Sequence, residues 1–305
     1  MRNNLKSSDR RNNYMILAES AIIEDDKQRA LKFYKKALEF DDETEDTIEI
    51  LYNIAILYDE MGKRDQAFDT YREIIEISDD EAGAYYGMAI IYDDKGEKEL
   101  ALEYYNKALD IDPEYDRAYF YIANIYDENG KKKDAIENYK KAIELTSNDF
   151  IAYNNLGAIY EELKQYDEAL EMIDKSIEIN PYYYKAFFNK GVIKKRLGDL
   201  EEAIKCYDMA IETNKIYPYS YLNKSVIFIE KKKYKEAIEI LSEGIENNPE
   251  AEFLYYNRAC CHAKLGNEEG AIEDLKIAVK LYPRFKDIIK EDNDLKNLGF
   301  SFKTF

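Results

Sequence analysis

Residues 116–149, DRAYFYIANIYDENGKKKDAIENYKKAIELTSND, contain the pattern that decides the fold. Apolar residues recur at helical spacing in two runs, from Ala118 to Tyr126 and from Ala135 to Leu145. Gly130, followed by three lysines, separates the two runs. This arrangement predicts one helix, a turn and a second, antiparallel helix within 34 residues.

The same pattern recurs along the chain with a period of 34 residues. One alanine column comprises Ala67, Ala101, Ala135, Ala169, Ala203, Ala237 and Ala271. One aromatic column comprises Tyr85, Tyr119, Tyr153, Phe187, Tyr221 and Tyr255. Small residues allow two helices to cross closely, and aromatic rings fill the wedges between neighbouring units. Because one unit cannot bury both of its apolar faces, the period predicts a stack of helical hairpins.

These columns resemble the tetratricopeptide repeat (TPR), a 34-residue helix–turn–helix unit. The resemblance covers about residues 11–285 and implies an all-α, right-handed superhelical α-solenoid of about eight repeats. The expected repeats span residues 11–47, 48–81, 82–115, 116–149, 150–183, 184–217, 218–251 and 252–285. We expect a flexible N-terminus at residues 1–10 and a capping helix with a tail at residues 286–305, which gives about seventeen helices in total.

Composition limits the classes of partner. The chain of 305 residues contains 63 acidic and 44 basic residues, for a formal net charge of −19. This charge disfavours nonspecific binding to nucleic acid or to an anionic membrane. The three cysteines form neither a metal-binding spacing nor an even disulfide set, which fits a reducing cytoplasm. No apolar run is long enough to predict a transmembrane helix.

The sequence contains no recognisable enzyme motif. It has no glycine-rich phosphate loop and no nucleophile elbow, and its single histidine is His262. Cys260, Cys261 and His262 are consecutive, so on a helix their side chains point about 100° apart and are poorly placed to share a metal ion. We therefore predict a non-enzymatic protein without catalytic residues, a metal site or a cofactor.

A column of asparagines occupies the sixth position of several repeats. Its members are Asn53, Asn155, Asn189, Asn223 and Asn257. In TPR proteins this position faces the concave groove, and the column resembles the asparagine ladder in the repeats of O-linked N-acetylglucosamine transferase. A carboxamide can pair with both an N–H and a C=O group, so it can bind a peptide backbone of any sequence. The alternative is that each asparagine only satisfies a neighbouring helix.

Other candidate groove residues flank the asparagines. The apolar and polar members of the preceding column are Phe120, Asn154, Phe188 and Tyr256. The basic members are Lys190, Lys194, Lys195, Arg196 and Lys224. The first helices of repeats two to five are mainly acidic, whereas those of repeats six to eight are mainly basic. These residues predict binding of an extended segment that carries acidic side chains. The alternative is that they form a solvated rim.

The sequence thus predicts a protein–protein interaction module that binds an extended peptide or protein segment in its concave groove. The alternative is a scaffold or regulatory subunit that acts through oligomerisation or through its outer surface. The carboxylate clamp of chaperone-tail-binding relatives is not expected, because no three repeats supply its lysine at the fifth position. The pattern leaves the oligomeric state open.

Overall fold

The computed structural model describes residues 7–40, 44–292 and 295, and the described chain is all-α. The chain divides into two compact units between Ser147 and Asn148. The helices of the first unit are α1 (Ser7–Ile23), α2 (Lys27–Leu38), α3 (Thr44–Glu60), α4 (Arg64–Ile77), α5 (Ala82–Asp94), α6 (Lys98–Ile111), α7 (Asp116–Glu128) and α8 (Lys132–Leu145). The helices of the second unit are α9 (Phe150–Glu162), α10 (Tyr166–Ile179), α11 (Tyr184–Arg196), α12 (Leu200–Thr213), α13 (Pro218–Glu230), α14 (Tyr234–Asn247), α15 (Glu252–Lys264), α16 (Glu268–Leu281) and α17 (Phe285–Glu291).

Successive helices pack as pairs, and within each unit every pair packs on the next. The predicted all-α repeat fold with seventeen helices is confirmed over the described residues. The last helix, α17, begins at Phe285, whereas the rest of the expected tail, residues 293–294 and 296–305, lies outside the described residues. None of the described helices is both long enough and apolar enough to cross a membrane.

The first helix begins earlier than the sequence analysis placed it. Helix α1 includes residues 7–10, which belong to the segment expected to be flexible, while residues 1–6 lie outside the described residues. The Ser7 hydroxyl donates a hydrogen bond of 2.9 Å to the backbone carbonyl of Phe40. The Arg10 guanidinium lies 5.7 Å from the centroid of the Phe40 ring. These two contacts hold the start of α1 against the end of α2.

The alanine column marks the crossing of the two helices in each pair. All seven alanines are 0% exposed. At the facing position of the fifth repeat, a Cβ atom added to Gly157 would lie only 3.1 Å from the backbone oxygen of Ala169. The two backbones therefore approach so closely that the crossing accepts only small side chains.

The turn inside each helix pair contains one residue in the left-handed backbone region. In five repeats this residue is glycine, with φ between 69° and 82°, at Gly62, Gly96, Gly130, Gly198 and Gly266. Asp25, Lys164 and Lys232 occupy the equivalent position in the other three repeats, with φ between 56° and 60°. The N–H group of Lys131 then donates to the carbonyl of Tyr126, which closes the end of α7 as in a Schellman motif.

Tyrosine rings form much of the interior of each unit, as the aromatic columns predict. The most deeply buried are Tyr34, Tyr105, Tyr139, Tyr207 and Tyr221. Tyr139 donates a hydrogen bond to Asn124, and burial raises the pKa of Tyr221 to about 12. The phenol of Tyr221 therefore remains protonated at neutral pH, and the buried tyrosines act as packing groups.

The alanine crossing can be tested by overpacking it. We expect Ala135→Leu to lower the free energy of unfolding by roughly 1–3 kcal/mol, because its extra methyl groups have no space between α7 and α8. Urea unfolding followed by circular dichroism measures the loss. Glu137→Leu, at an exposed position of the same helix, should change stability by less than about 0.5 kcal/mol. Equal effects of the two substitutions would contradict the close crossing.

Candidate functional site

The asparagine column lies on the first helices of the repeats in the second unit. Asn155, Asn189, Asn223 and Asn257 come from α9, α11, α13 and α15, and all four are half-buried. The Nδ2 atom of Asn223 donates to the carbonyl of Tyr219 at 2.9 Å, and that of Asn257 donates to Phe253 at 2.7 Å. These bonds fix each carboxamide against its own helix. Within the described residues, the Oδ1 atoms of Asn223 and Asn257 accept no hydrogen bond.

At the fifth and sixth repeats the asparagines hydrogen-bond to one another. Asn189 donates from Nδ2 to Oδ1 of Asn154 at 2.9 Å, and Asn154 donates to Oδ1 of Asn155 at 3.2 Å. Asn154 is only 3% exposed. Asn154 was predicted to contact a ligand, but its burial and the bond that it accepts from Asn189 assign it to the contact between α9 and α11.

In the first unit, Asn53 has the same local geometry, because its Nδ2 atom donates to the carbonyl of Glu49 at 2.9 Å. The column is interrupted in the next two repeats by Gly87 and Tyr121. A Cβ atom on Gly87 would lie 2.4 Å from the Tyr71 ring, so a side chain there would clash with that ring. The Tyr121 ring stacks on Tyr105 with a centroid distance of 5.9 Å. The interruption therefore follows from packing against the preceding repeat.

The three predicted aromatic groove residues differ in accessibility. Phe120 is 7% exposed and packs against Tyr139, so it belongs to the interior. Tyr256 stacks on Phe285 at 4.9 Å, and its hydroxyl donates to Asp292, so it helps to attach α17. Phe188 is half-buried. Phe188 is therefore the one of these three rings that is neither in the interior nor held by α17.

Each of the five predicted basic residues forms an ion pair within the second unit. The pairs are Lys190–Asp174 at 2.6 Å, Lys194–Asp199 at 3.9 Å, Lys195–Glu230 at 2.8 Å, Arg196–Glu161 at 3.2 Å and Lys224–Asp208 at 2.5 Å. These residues were expected to present open positive charge to a ligand. The ion pairs instead neutralise much of that charge, which weakens the predicted preference for acidic segments.

Lys190 and Lys224 are part of the packing between repeats. They occupy the position that the buried Leu156 holds in the fifth repeat, and each reaches a carboxylate on the second helix of the preceding repeat. Arg258 is the next member of this column. It forms two hydrogen bonds with Asp274, at 2.7 and 2.8 Å, and a third with the Ser242 hydroxyl. The side of the first helices that carries Lys190, Lys224 and Arg258 therefore faces second helices.

The acidic ends of the first helices in the first unit also have partners. Lys27–Glu60, Arg64–Asp94 and Lys98–Glu128 are ion pairs of 2.6–2.9 Å that join the second helix of one repeat to the first helix of the next. Lys98 also pairs with Asp93, and hydrogen bonding to this carboxylate raises the pKa of Lys98. These ion pairs between repeats explain why acidic residues occur at the C-termini of the first helices, where the helix dipole disfavours negative charge.

Cys261 is buried, whereas His262 is half-buried. Burial raises the pKa of Cys261 to about 11, so its thiol remains protonated at neutral pH. His262 is 3.1 Å from Asn267, measured between Nδ1 and Nδ2. In the part of the chain that the structure describes, no three His, Cys, Asp or Glu side chains are grouped so that they could hold a metal ion.

Comparisons with known proteins agree with this architecture. Sequence profiles described as "TPR repeat" or "Tetratricopeptide repeat" match residues 49–79, 82–115, 104–137, 123–164, 150–183, 184–215, 218–250 and 252–285. The chain therefore belongs to the tetratricopeptide repeat family. No curated protein matches the sequence significantly.

Solved structures share the fold. A chain in the crystal structure of the APC/C hetero-tetramer Cut9-Hcn1 superposes with a TM-score of 0.61 at 18% identity, covering 97% of this chain and 56% of that chain. The protein pilF of Pseudomonas aeruginosa superposes with a TM-score of 0.58 at 20% identity, covering 70% and 99% of the respective chains. TPR proteins are generally non-enzymatic interaction modules, and membership in the family supports a protein–protein interaction role.

The Arg258–Asp274 pair yields a stability prediction. Asp274 is 3% exposed, so Asp274→Asn would leave a half-buried guanidinium without its counterion. We expect a loss of roughly 3–5 kcal/mol in the free energy of unfolding. Asp174→Asn, which breaks the more exposed pair with Lys190, should cost at most about 1 kcal/mol. Chemical denaturation of both variants measures this difference, and similar losses would show that Arg258 is not held by Asp274.

Proposed function

We propose that this protein is a non-enzymatic interaction module whose second unit binds an extended protein segment along the first helices α9, α11, α13 and α15. The observation that carries this proposal is the column of half-buried carboxamides at Asn189, Asn223 and Asn257. Asn223 and Asn257 are each fixed by a bond to their own helix, which leaves an oxygen acceptor available.

The spacing of the column suits an extended ligand. Packed helices lie about 8–10 Å apart, and an extended chain rises about 3.3 Å per residue. One asparagine per repeat therefore matches roughly every third residue of the ligand. The Oδ1 atom would accept a backbone N–H from the ligand, and the second hydrogen on Nδ2 would donate to a ligand carbonyl. Such contacts set the register of a segment without reading its side chains.

Apolar side chains beside the asparagines would add affinity. Phe188, Val192, Leu222 and Val226 lie on the same first helices and are half-buried. Pockets between these residues would accept alternate side chains of an extended segment, because neighbouring side chains of such a segment point in opposite directions. The ligand is therefore a segment in which apolar residues alternate with residues of any other kind.

Charge has a smaller role in this proposal than the sequence pattern predicts. Arg196 is the most exposed of the basic residues, with 64% of its side chain accessible, and Lys194 forms the longest ion pair. An acidic ligand residue would have to compete with Glu161 for Arg196 and with Glu230 for Lys195. We propose that this exchange slows dissociation of acidic segments but does not determine binding.

The alternative function is a scaffold that acts through surfaces outside the groove. It is favoured by large apolar side chains exposed in loops between repeats, namely Tyr182 and Ile216. Because these residues lie in loops and the asparagines lie on helices, substitutions can separate the two contributions.

The decisive experiment measures binding of a pool of extended acidic and basic peptides at low and moderate salt. We expect Asn189→Ala combined with Asn223→Ala to weaken binding, since each lost contact costs roughly 1–3 kcal/mol if a ligand backbone group is left unpaired. Asn138→Ala is the matched control, because Asn138 makes the same bond to its own helix but lies on a second helix. Unchanged affinity in the double variant would refute binding through the asparagines.

A further substitution tests the charge term separately. Lys194→Glu combined with Lys195→Glu should reduce the salt dependence of binding to acidic peptides while leaving neutral peptides nearly unaffected. Association and dissociation rates measured by surface plasmon resonance distinguish these effects. If basic peptides bind more tightly to the wild type than acidic ones, the proposed role of Arg196 and its neighbours is wrong.

A further inference from the structure

Large apolar side chains are exposed in two successive loops between repeats of the second unit. Tyr182, in the loop between α10 and α11, is 82% exposed, and Ile216, in the loop between α12 and α13, is 74% exposed. Tyr219, at the start of α13, is 47% exposed. Ile216 and Tyr219 line one surface pocket, and exposed apolar side chains that adjoin one another usually mark an interaction surface.

The repeat fold itself does not require these apolar residues. Four-residue loops join successive helix pairs, and Tyr182 and Ile216 are the third residue of their loops. The equivalent residues in the other four-residue loops are Asp80, Glu114, Asn148 and Glu250. Because loops with polar residues at this position connect the same helices, the apolar pair has no role in forming the turn.

A continuous row of aromatic rings lies at the starts of α11, α13 and α15, next to these loops. Tyr184 lies 4.9 Å from Tyr217, Tyr217 lies 5.5 Å from Tyr219, and Tyr219 stacks on Phe253 at 5.0 Å, all measured between ring centroids. The interplanar angle of the last pair is 17°. Each ring restrains its neighbour, so the exposed face of Tyr219 is presented in one orientation.

A surface pocket of about 480 Å³ lies beside Tyr219 and Phe253 of this row. We call it the loop-edge pocket, and its apolar lining consists of Ile216, Pro218, Tyr219, Pro249, Ala251 and Phe253. Glu250 and Glu252 also line it and place two carboxylates beside the apolar surface. The pocket therefore combines space for an apolar side chain with negative charge.

We propose that the loop-edge pocket docks a protein segment in which an apolar or aromatic residue is adjacent to lysine or arginine. The apolar side chain would enter between Ile216 and Phe253, while the cation would lie over the Tyr219 ring and near Glu250 or Glu252. A second copy of this chain is a poor occupant, because both molecules carry a net charge of −19 and would bring their carboxylates together.

The sequence of the protein supplies suitable variants for the test. Ile216→Asn and Tyr182→Asn both introduce the uncharged residue that the loop between α8 and α9 has at the equivalent position, Asn148. Both substitutions should therefore leave the helices and the thermal unfolding midpoint unchanged. The probe is a fluorescein-labelled peptide that alternates phenylalanine or leucine with lysine, and its counterpart replaces each lysine with glutamate.

Both peptides are extended segments of the kind proposed to bind the asparagine column, so fluorescence anisotropy is measured on the variant Asn189→Ala, Asn223→Ala, which should bind the lysine peptide more tightly than the glutamate peptide. In this background we expect Ile216→Asn, alone or with Tyr182→Asn, to weaken binding of the lysine peptide by about tenfold or more. Ile216→Asn by itself should leave binding of the glutamate peptide by the otherwise wild-type protein unchanged, which separates the loop-edge pocket from the asparagine column.

Three results would overturn the proposal. The first is that the Asn189→Ala, Asn223→Ala variant binds the lysine peptide no more tightly than the glutamate peptide, and the second is that adding Ile216→Asn to it leaves binding of the lysine peptide unchanged. The third is self-association of the wild type that Ile216→Asn abolishes in sedimentation velocity, because the pocket would then be a contact between copies of this chain.

Discussion

The close crossing of two helices at a buried alanine is the constraint on which the rest of the structure depends. At Ala135 and its equivalents no side-chain volume separates the helices, so each pair forms a thin hairpin with two uncovered apolar faces. The next hairpin covers one of those faces with aromatic side chains such as Tyr121, which stacks on Tyr105 of the preceding repeat. Because the same requirement recurs in every repeat, the alanines and the tyrosines share one period.

Many charged residues on the first helices form ion pairs between repeats. Lys98–Glu128 in the first unit and Lys190–Asp174 in the second are members of columns that repeat with the helices. Individual exposed pairs contribute at most about 1 kcal/mol each, but they place carboxylates and ammonium groups where a helix terminus or a packed surface would otherwise disfavour them. An uneven charge pattern along a repeat protein is therefore a weak indicator of its ligand.

The two proposed binding surfaces of the second unit differ in chemistry. The asparagine column offers hydrogen-bonding groups that match any backbone, so it favours extended segments of varied sequence. The loop-edge pocket offers an apolar surface with carboxylates beside it, so it favours particular side chains. A partner that used both surfaces would combine a tolerant contact with a selective one, and the effective concentration of the second contact would raise the overall affinity.

The sequence by itself determined the number of helices, their pairing and the position of the turns, because these depend on residues close together in the chain and on a period of 34 residues. It also identified the asparagine column. Only the tertiary structure decided which candidate residues are accessible: Asn154 and Phe120 are buried, Tyr256 contacts α17, and Lys190 pairs with the preceding repeat. Accessibility depends on which side chain of a neighbouring repeat fills the same space, and a column of residue types along one chain does not contain that information.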